Sequence, residues 1–192
     1  YEEDLAYCHH VGFANQALPA AVLGLLHEAQ IRSGTVVDLG CAGGYLLAAL
    51  TTKRFRAVGV DGSSAALAIA TTVAPDAELY PSRAEAFDLP TCQAVTALGE
   101  VLCYLSDDGR DALSEIAFLA RVFDALTPGG LLIFDVVVRD DANPFRYRHR
   151  RDGGDWIIDH GVTEDARRHI LCRDIILDRC VDVVWRRSRE CH

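Results

Sequence analysis

Several features that would point to other classes of protein are missing from this sequence of 192 residues. No two of its seven cysteines are separated by two residues, so the pattern offers neither a zinc motif nor a redox motif. No hydrophobic run reaches the length of a membrane span, and there is no internal repeat or low-complexity segment. We therefore expect a cytoplasmic protein with reduced cysteines, no membrane partner and no bound metal.

Positive charge is also scarce in most of the chain. The formal net charge is −9. Residues 1–145 carry 8 basic and 19 acidic side chains, whereas residues 146–192 carry 11 basic and 9 acidic ones. An acidic balance lacks the electrostatic footprint that nucleic-acid binding needs, so we expect no nucleic-acid partner. The length suits one domain.

Segments typical of strands and helices alternate through the first three quarters of the chain. Strands are predicted at 36–39, 57–60, 77–80, 94–98 and 131–138, and helices at 19–30, 44–52, 64–73 and 108–126. This alternation predicts an α/β fold with a doubly wound, mainly parallel Rossmann-like sheet. The charged, strand-like segments 156–158, 169–180 and 181–187 predict an added antiparallel strand region near the carboxyl end.

A nucleotide-binding pattern surrounds the first predicted strand. Asp38 precedes the small-residue stretch 40–44, and Asp61 ends the second strand. Small residues let a ligand approach the backbone, and the following helix start offers free N–H groups. An acid at the end of the second strand can accept hydrogen bonds from ribose hydroxyls. The dinucleotide fingerprint is excluded, because Tyr45 stands where its third glycine is required.

The pattern resembles the first motif of class I S-adenosylmethionine-dependent methyltransferases, an acidic residue followed by G-x-G-x-G. Ala42 replaces the middle glycine, so we expect either a negative φ there or a ligand slightly further from the turn. The stretch 126–132, L-T-P-G-G-L-L, resembles the family's entry to the fifth strand. Residues 84–90 resemble its adenine-binding loop, with Arg83 at the position where an acid is commoner. The resemblance covers roughly residues 30–140.

The resemblance implies S-adenosylmethionine as cofactor, S-adenosylhomocysteine as product and a small-molecule acceptor methylated on oxygen or nitrogen. It implies an amino-terminal helical lid over 1–33, a cofactor-binding core over 34–138 and an acceptor-site contribution from 139–192. The implied cofactor contacts are Tyr7, Asp38, Gly40, Cys41, Ala42, Gly44, Asp61, Gly62, Ser63, Ala84, Glu85, Gly99 and Glu100. The family's usual ending after the fifth strand is not matched, so we expect the chain to be truncated. We also expect the protein to be a monomer or a homodimer.

Methyl transfer requires orientation and, for a neutral acceptor, a base that takes its proton. The candidates are His10, Glu100 and Tyr104, ahead of His9 and His160. Each could equally be an ordinary structural group, because position in a fold does not prove a role. Two alternatives stay open: an aminopropyl transferase or other enzyme of the same fold that uses this cofactor, and a non-catalytic cofactor-binding module.

Overall fold

The structure is a computed structural model that describes residues 3–103, 112–138, 146–165, 167 and 170–191. The chain divides into two compact units. Residues 13–137 form the parallel-sheet unit, and residues 1–12 with 138–192 form the antiparallel-sheet unit. No helix within the described ranges combines the length and apolar character that crossing a bilayer requires.

The elements follow one another as the alternating sequence pattern predicts. In chain order they are α1 (Glu3–Cys8), a π-helical turn (His9–Phe13), α2 (Leu18–Glu28), β1 (Thr35–Leu39), α3 (Tyr45–Thr52), β2 (Arg56–Asp61), α4 (Ser64–Val73), β3 (Glu78–Pro81), a 3₁₀ turn (Ala84–Ala86), β4 (Cys92–Ala97), a 3₁₀ turn (Val101–Cys103), α5 (Ala112–Ala125), β5 (Leu126–Phe134), β6 (Arg146–Asp152), β7 (Trp156–Asp165), β8 (Ile170–Val181) and β9 (Val184–Cys191).

The parallel-sheet unit has five strands in the order β3-β2-β1-β4-β5, and every neighbouring pair is parallel. β1 lies in the middle and is buried along its whole length. Because the residues of a strand alternate between the two faces of a sheet, Val36 packs in a cluster with residues of α2 and α3. Val37 packs in another cluster with residues of α5. Helices therefore cover both faces of the sheet, which confirms the predicted Rossmann-like fold.

The antiparallel-sheet unit has four strands in the order β6-β7-β8-β9. Each strand pairs antiparallel with the next one along the chain. Its core joins Leu5 and Cys8 of α1 to Trp156, Ile158 and Leu177 of the sheet. This confirms the predicted antiparallel region near the carboxyl end.

Several predicted boundaries were wrong, each for a physical reason. β5 begins at Leu126, before the Pro-Gly-Gly stretch, because its pairing with β4 shifts register between Cys92 and Ala94 and accommodates those residues as an irregularity. β6 was not predicted as a strand because all seven of its residues are exposed, so it has no hydrophobic alternation. α1 lies in the segment predicted as a helical lid but was given no bounds of its own, since six residues are too few for a helical period to be recognised.

Candidate active site

The glycine-rich turn after β1 is tied to the carboxyl end of β2. The amides of Gly40 and Cys41 both donate to the Val60 carbonyl, at 2.7 and 3.1 Å. Gly44 has a φ of +80° and is the residue immediately before α3. This left-handed conformation suits glycine, and it lets the turn lead directly into the first residue of α3.

Ala42 has a φ of +46°, so the negative φ expected at this position was wrong. Its amide donates to Asp61 Oδ2 at 2.9 Å. A charge-assisted hydrogen bond of this kind is roughly twice as strong as a neutral one, and it offsets the cost of placing an alanine in the left-handed region. The other expectation for Ala42, that the ligand lies slightly further from the turn, stays a prediction.

Asp61 ends β2 and holds the surrounding backbone with both carboxylate oxygens. Besides the bond from Ala42, its Oδ1 accepts a hydrogen bond from the Ser63 amide at 2.8 Å. The Ser63 hydroxyl in turn accepts from the Ala66 amide at 3.1 Å and caps α4. An ionised carboxylate has about four acceptor positions, so the half-buried Asp61 retains capacity for the hydroxyls of a ribose. The residues present therefore fit the implied cofactor here.

Asp38 and Thr96 are register partners on the adjacent strands β1 and β4. The Thr96 hydroxyl donates to Asp38 Oδ1 at 2.6 Å, and both residues are buried. Burial raises the pKa of Asp38 to about 7, with a smaller raising effect from the charge on Asp61, although the Thr96 bond opposes this shift. The pair lies where the strand order reverses direction, which is the usual ligand position in such sheets.

The predicted adenine loop is held by a residue that sequence reasoning missed. The guanidinium of Arg121, on α5, donates to the backbone carbonyls of Glu85 and Phe87 at 2.6 and 2.7 Å. The Glu85 carboxylate itself pairs with Arg83. An exposed arginine on a helix gives no sequence signal, because it looks like any other solvated charge.

Gly99 and Glu100 follow β4 in left-handed conformations, with φ of +80° and +66°. Their amides donate to the two carboxylate oxygens of Asp135, at 3.0 and 2.6 Å. Asp135 was also missed, because the predicted fifth strand ran through to residue 138. The structure ends β5 at Phe134 and places Asp135 directly after it.

Two of the predicted site residues, Tyr7 and His10, lie in the antiparallel-sheet unit. The Tyr7 hydroxyl donates to Asp155 Oδ2 at 3.0 Å, and the Arg179 guanidinium lies 4.0 Å from the centre of the Tyr7 ring. Arg179 also contacts Asp155 Oδ2 at 2.8 Å. The hydrogen bond to Asp155 is the main reason why the pKa of Tyr7 is raised. A contact from Tyr7 to the cofactor stays a prediction.

The structure describes one of the two remaining catalytic candidates, His10, but not the other, Tyr104. Burial lowers the pKa of His10, which favours the neutral imidazole that a proton acceptor needs. Tyr104 lies outside the described residues. The Cys41 side chain is buried in a hydrophobic cluster with residues of α2 and α3, and this burial raises the pKa of its thiol. Across the described ranges, no group of three or more His, Cys, Asp or Glu side chains is arranged to hold a metal ion.

A family model described as a methyltransferase domain matches residues 10–170, which is most of the chain. The chain belongs to this methyltransferase family. The predicted enzyme class is therefore confirmed, as is the class I fold of methyltransferases that depend on S-adenosylmethionine. No curated protein matches the chain.

Several solved structures share the fold of this one. DesVI of Streptomyces venezuelae has a TM-score of 0.81 at 17% identity, covering 100% of this chain and 84% of its own. The sugar N-methyltransferase KedS8 of a Streptoalloteichus species has a TM-score of 0.79 at 18% identity, with coverages of 100% and 77%. CalS10 of Micromonospora echinaspora, an amino pentose methyltransferase bound to S-adenosylmethionine, has a TM-score of 0.75 at 20% identity, with coverages of 100% and 81%.

Proposed function

We propose that this methyltransferase moves a methyl group from S-adenosylmethionine to an oxygen or nitrogen of a small molecule. An amino sugar is the first class of acceptor to test, because CalS10 is described as an amino pentose methyltransferase and KedS8 as a sugar N-methyltransferase. The match to a methyltransferase model favours methyl transfer over the aminopropyl transfer that the sequence left open.

The observation that carries this proposal is the arrangement around Asp61. Its carboxylate joins the amides of Ala42 and Ser63, and it therefore sits between the glycine-rich turn and the start of α4. A carboxylate in this position accepts hydrogen bonds from two adjacent ribose hydroxyls. Gly44 is left-handed, and a Cβ added there would lie 3.0 Å from Ala70 Cβ of α4, so glycine lets the turn pack closely against this helix.

The protein's part in such a reaction is chiefly binding and orientation. When bound, the cofactor supplies an activated methyl group. Asp61 would hold the ribose, the turn 40–44 would border the amino-acid end, and Ala84 with Glu85 would border the adenine. Glu100, which follows β4, is a side chain proposed to accept the proton that a neutral acceptor loses, and His10 stays an alternative candidate for this role.

Binding of S-adenosylhomocysteine, measured by calorimetry, tests the cofactor assignment. We expect wild-type protein to bind it, and Asp61→Ala to weaken binding by about 1–3 kcal/mol, the scale for hydrogen bonds to a charged group. Asp61→Asn keeps one acceptor oxygen and should fall between the two. Asp76→Asn, which removes a charge from an exposed residue of the same unit, is the matched control and should bind like wild type.

A second measurement tests the transfer itself. Protein, S-adenosylmethionine and a panel of amino sugars and hydroxylated sugars are incubated together, and mass spectrometry detects a gain of one methylene in the acceptor. Failure to bind the cofactor product, or an unchanged dissociation constant in Asp61→Ala, would contradict the site. Binding without methylation of any acceptor would favour the non-catalytic module instead.

A further inference from the structure

Asp135 joins the ends of two neighbouring strands with its side chain. It directly follows β5, and its amide donates to the Ala97 carbonyl at the end of β4, at 3.4 Å. After Ala97, the Asp135 carboxylate accepts the next hydrogen bonds between the two segments in place of a backbone carbonyl. Its Oδ2 accepts from the Gly99 amide and its Oδ1 accepts from the Glu100 amide. The side chain thus extends the contact between β4 and β5 past the last residue of each strand.

The backbone that Asp135 holds is in an unfavourable conformation. A positive φ suits Gly99, where an added Cβ would meet no atom of the described residues within 4 Å. The same conformation is costly at Glu100, whose Cβ crowds its own backbone there. Two charge-assisted hydrogen bonds from one carboxylate are the contacts that offset this cost.

The residue that follows the turn at Gly99 and Glu100, Val101, lies beside the glycine-rich turn. A Cβ added to Gly40 would lie 2.3 Å from Val101 Cγ2, so the Val101 side chain fills the space beside Gly40. The Glu100 carbonyl accepts the Cys103 amide at 2.8 Å and begins the 3₁₀ turn that carries Val101. A substitution at Gly40 would therefore disturb Val101 as well as any ligand.

We propose that Asp135 is a positioning residue of the methyl-transfer site. It fixes the turn at Gly99 and Glu100, which places the Glu100 carboxylate at the end of β4 and seats Val101 against the turn that binds the cofactor. Both of its oxygens face backbone amides, which makes it a support for the site rather than a proton acceptor. This inference rests on the proposed function and adds a residue that acts through others.

Calorimetric titration with S-adenosylhomocysteine tests the role of Asp135. Asp135→Asn keeps one acceptor oxygen but turns an NH₂ group toward a backbone donor, so we expect the dissociation constant to rise about fivefold or more. Asp124→Asn is the matched control, because this exposed residue of α5 loses the same charge. Its dissociation constant should stay within about twofold of wild type.

A double-mutant cycle distinguishes positioning from a general loss of stability. Glu100→Gly relieves the left-handed strain, so the turn depends less on the carboxylate of Asp135. In that background we expect the effect of Asp135→Asn on the dissociation constant to shrink to less than about twofold. If Asp135→Asn weakens binding equally in the wild-type and Glu100→Gly backgrounds, the inference is overturned. A general structural defect caused by Asp135→Asn would not depend on the strain at Glu100.

Gly99→Ala serves as a second variant if Asp135→Asn does not fold. It strains the same turn without touching Asp135 and adds a methyl group into open space, so it should also weaken binding. Wild-type affinity in the variants that fold would overturn the inference while leaving the proposed function intact. A wild-type protein that does not bind S-adenosylhomocysteine would instead refute the proposed function, and this inference with it.

Discussion

At the scale of single residues, acids at the ends of strands have unlike surroundings. Asp61 is half-buried and accepts two backbone amides. Asp38 is buried and accepts a hydrogen bond from the Thr96 hydroxyl. The same residue type therefore binds backbone amides at one strand end, whereas at the other desolvation by burial raises its pKa.

The buried Asp38 makes the stability of the protein depend on pH. Its pKa rises from the usual 3.8 to about 7 on folding, so the folded state holds the proton more tightly than the unfolded state does. The resulting stabilisation is complete below about pH 4 and is lost as the pH rises through about 7. In Asp38→Asn this loss is absent, so we expect the variant's free energy of unfolding to rise relative to wild type by about 2–4 kcal/mol across that window.

Urea unfolding curves of wild type and Asp38→Asn at several pH values between about 4 and 8 measure this difference. Asp76→Asn, at an exposed position, controls for the loss of one negative charge. A difference between Asp38→Asn and wild type that stays constant with pH, or falls as the pH rises, would show that Asp38 does not bind a proton on folding.

Residue positions could be predicted from the sequence where a motif fixes the spacing, and their roles stay predictions. Asp38 and Asp61 follow hydrophobic runs in predicted strands, and in the structure Asp61 binds the glycine-rich turn while Asp38 binds Thr96 on the neighbouring strand. The supports Asp135 and Arg121 act on backbone groups that lie 34 to 36 residues away along the chain. Such long-range contacts to the backbone leave no local pattern, so only the structure reveals them.

At the scale of elements, the hairpin between β8 and β9 has an unusual turn. Val181 pairs with Val184, and the two residues between them, Asp182 and Val183, have φ of +49° and +62°. A two-residue hairpin loop with two positive φ values matches the type I′ turn, whose preferred sequence is Asn-Gly or Asp-Gly. A β-branched residue at positive φ is a genuine outlier.

We expect Val183→Gly to stabilise the antiparallel-sheet unit. Relief of a left-handed β-branched residue is worth roughly 1–2 kcal/mol, and the greater freedom of glycine in the unfolded chain offsets about 0.5–1 kcal/mol of that. Little packing is lost because Val183 is 93% exposed. Both tryptophans of the sequence, Trp156 and Trp185, lie in this unit, so urea unfolding followed by tryptophan fluorescence reports the gain.

Val184→Gly is the matched control, since it makes the same change one residue later within β9. Glycine inside a strand should cost roughly 0.5–1 kcal/mol. If Val183→Gly destabilises the unit as much as Val184→Gly does, the turn is not strained as we describe.

Elements were predictable where hydrophobic residues have a clear period, and this held for the parallel sheet. The alternation of β1, β2 and β4 with helices requires only local patterns, and all three strands are largely buried. β6 was missed because it pairs with β7 through its backbone while exposing every side chain. Backbone pairing of this kind depends on the partner strand and cannot be predicted from the residues of β6 alone.

At the scale of the whole molecule, charge is unevenly distributed along the chain. The basic excess of residues 146–192 is small because 11 basic side chains are balanced by 9 acidic ones. Several of these arginines pair with aspartates on neighbouring strands, as in Arg148–Asp159 and Arg187–Asp178. The arginine of each pair is more than half exposed, and such surface pairs are worth about 0–1 kcal/mol. The acidic balance dominates, and the absence of a nucleic-acid partner stays a prediction, as do the cytoplasmic location and the monomeric or dimeric state.

An exposed apolar stripe on α5 is expected to promote association between molecules when their net charge is lost. Ile116, Leu119 and Phe123 lie on one side of the helix and are 62%, 43% and 78% exposed. The net charge of −9 keeps copies apart at neutral pH, but this repulsion vanishes near the pI of about 5.2. Apolar contact between molecules should then dominate.

We therefore expect light scattering by the protein to be greatest near pH 5.2, and Phe123→Glu to reduce it there by removing the most exposed ring of the stripe. Thr72→Glu, on the exposed surface of α4, adds the same charge without removing an apolar group and is the matched control. Each variant is measured at its own pI, so that a shifted titration curve does not mimic the effect. Scattering that falls equally in both variants would mean that charge alone governs association and that the exposed stripe contributes nothing.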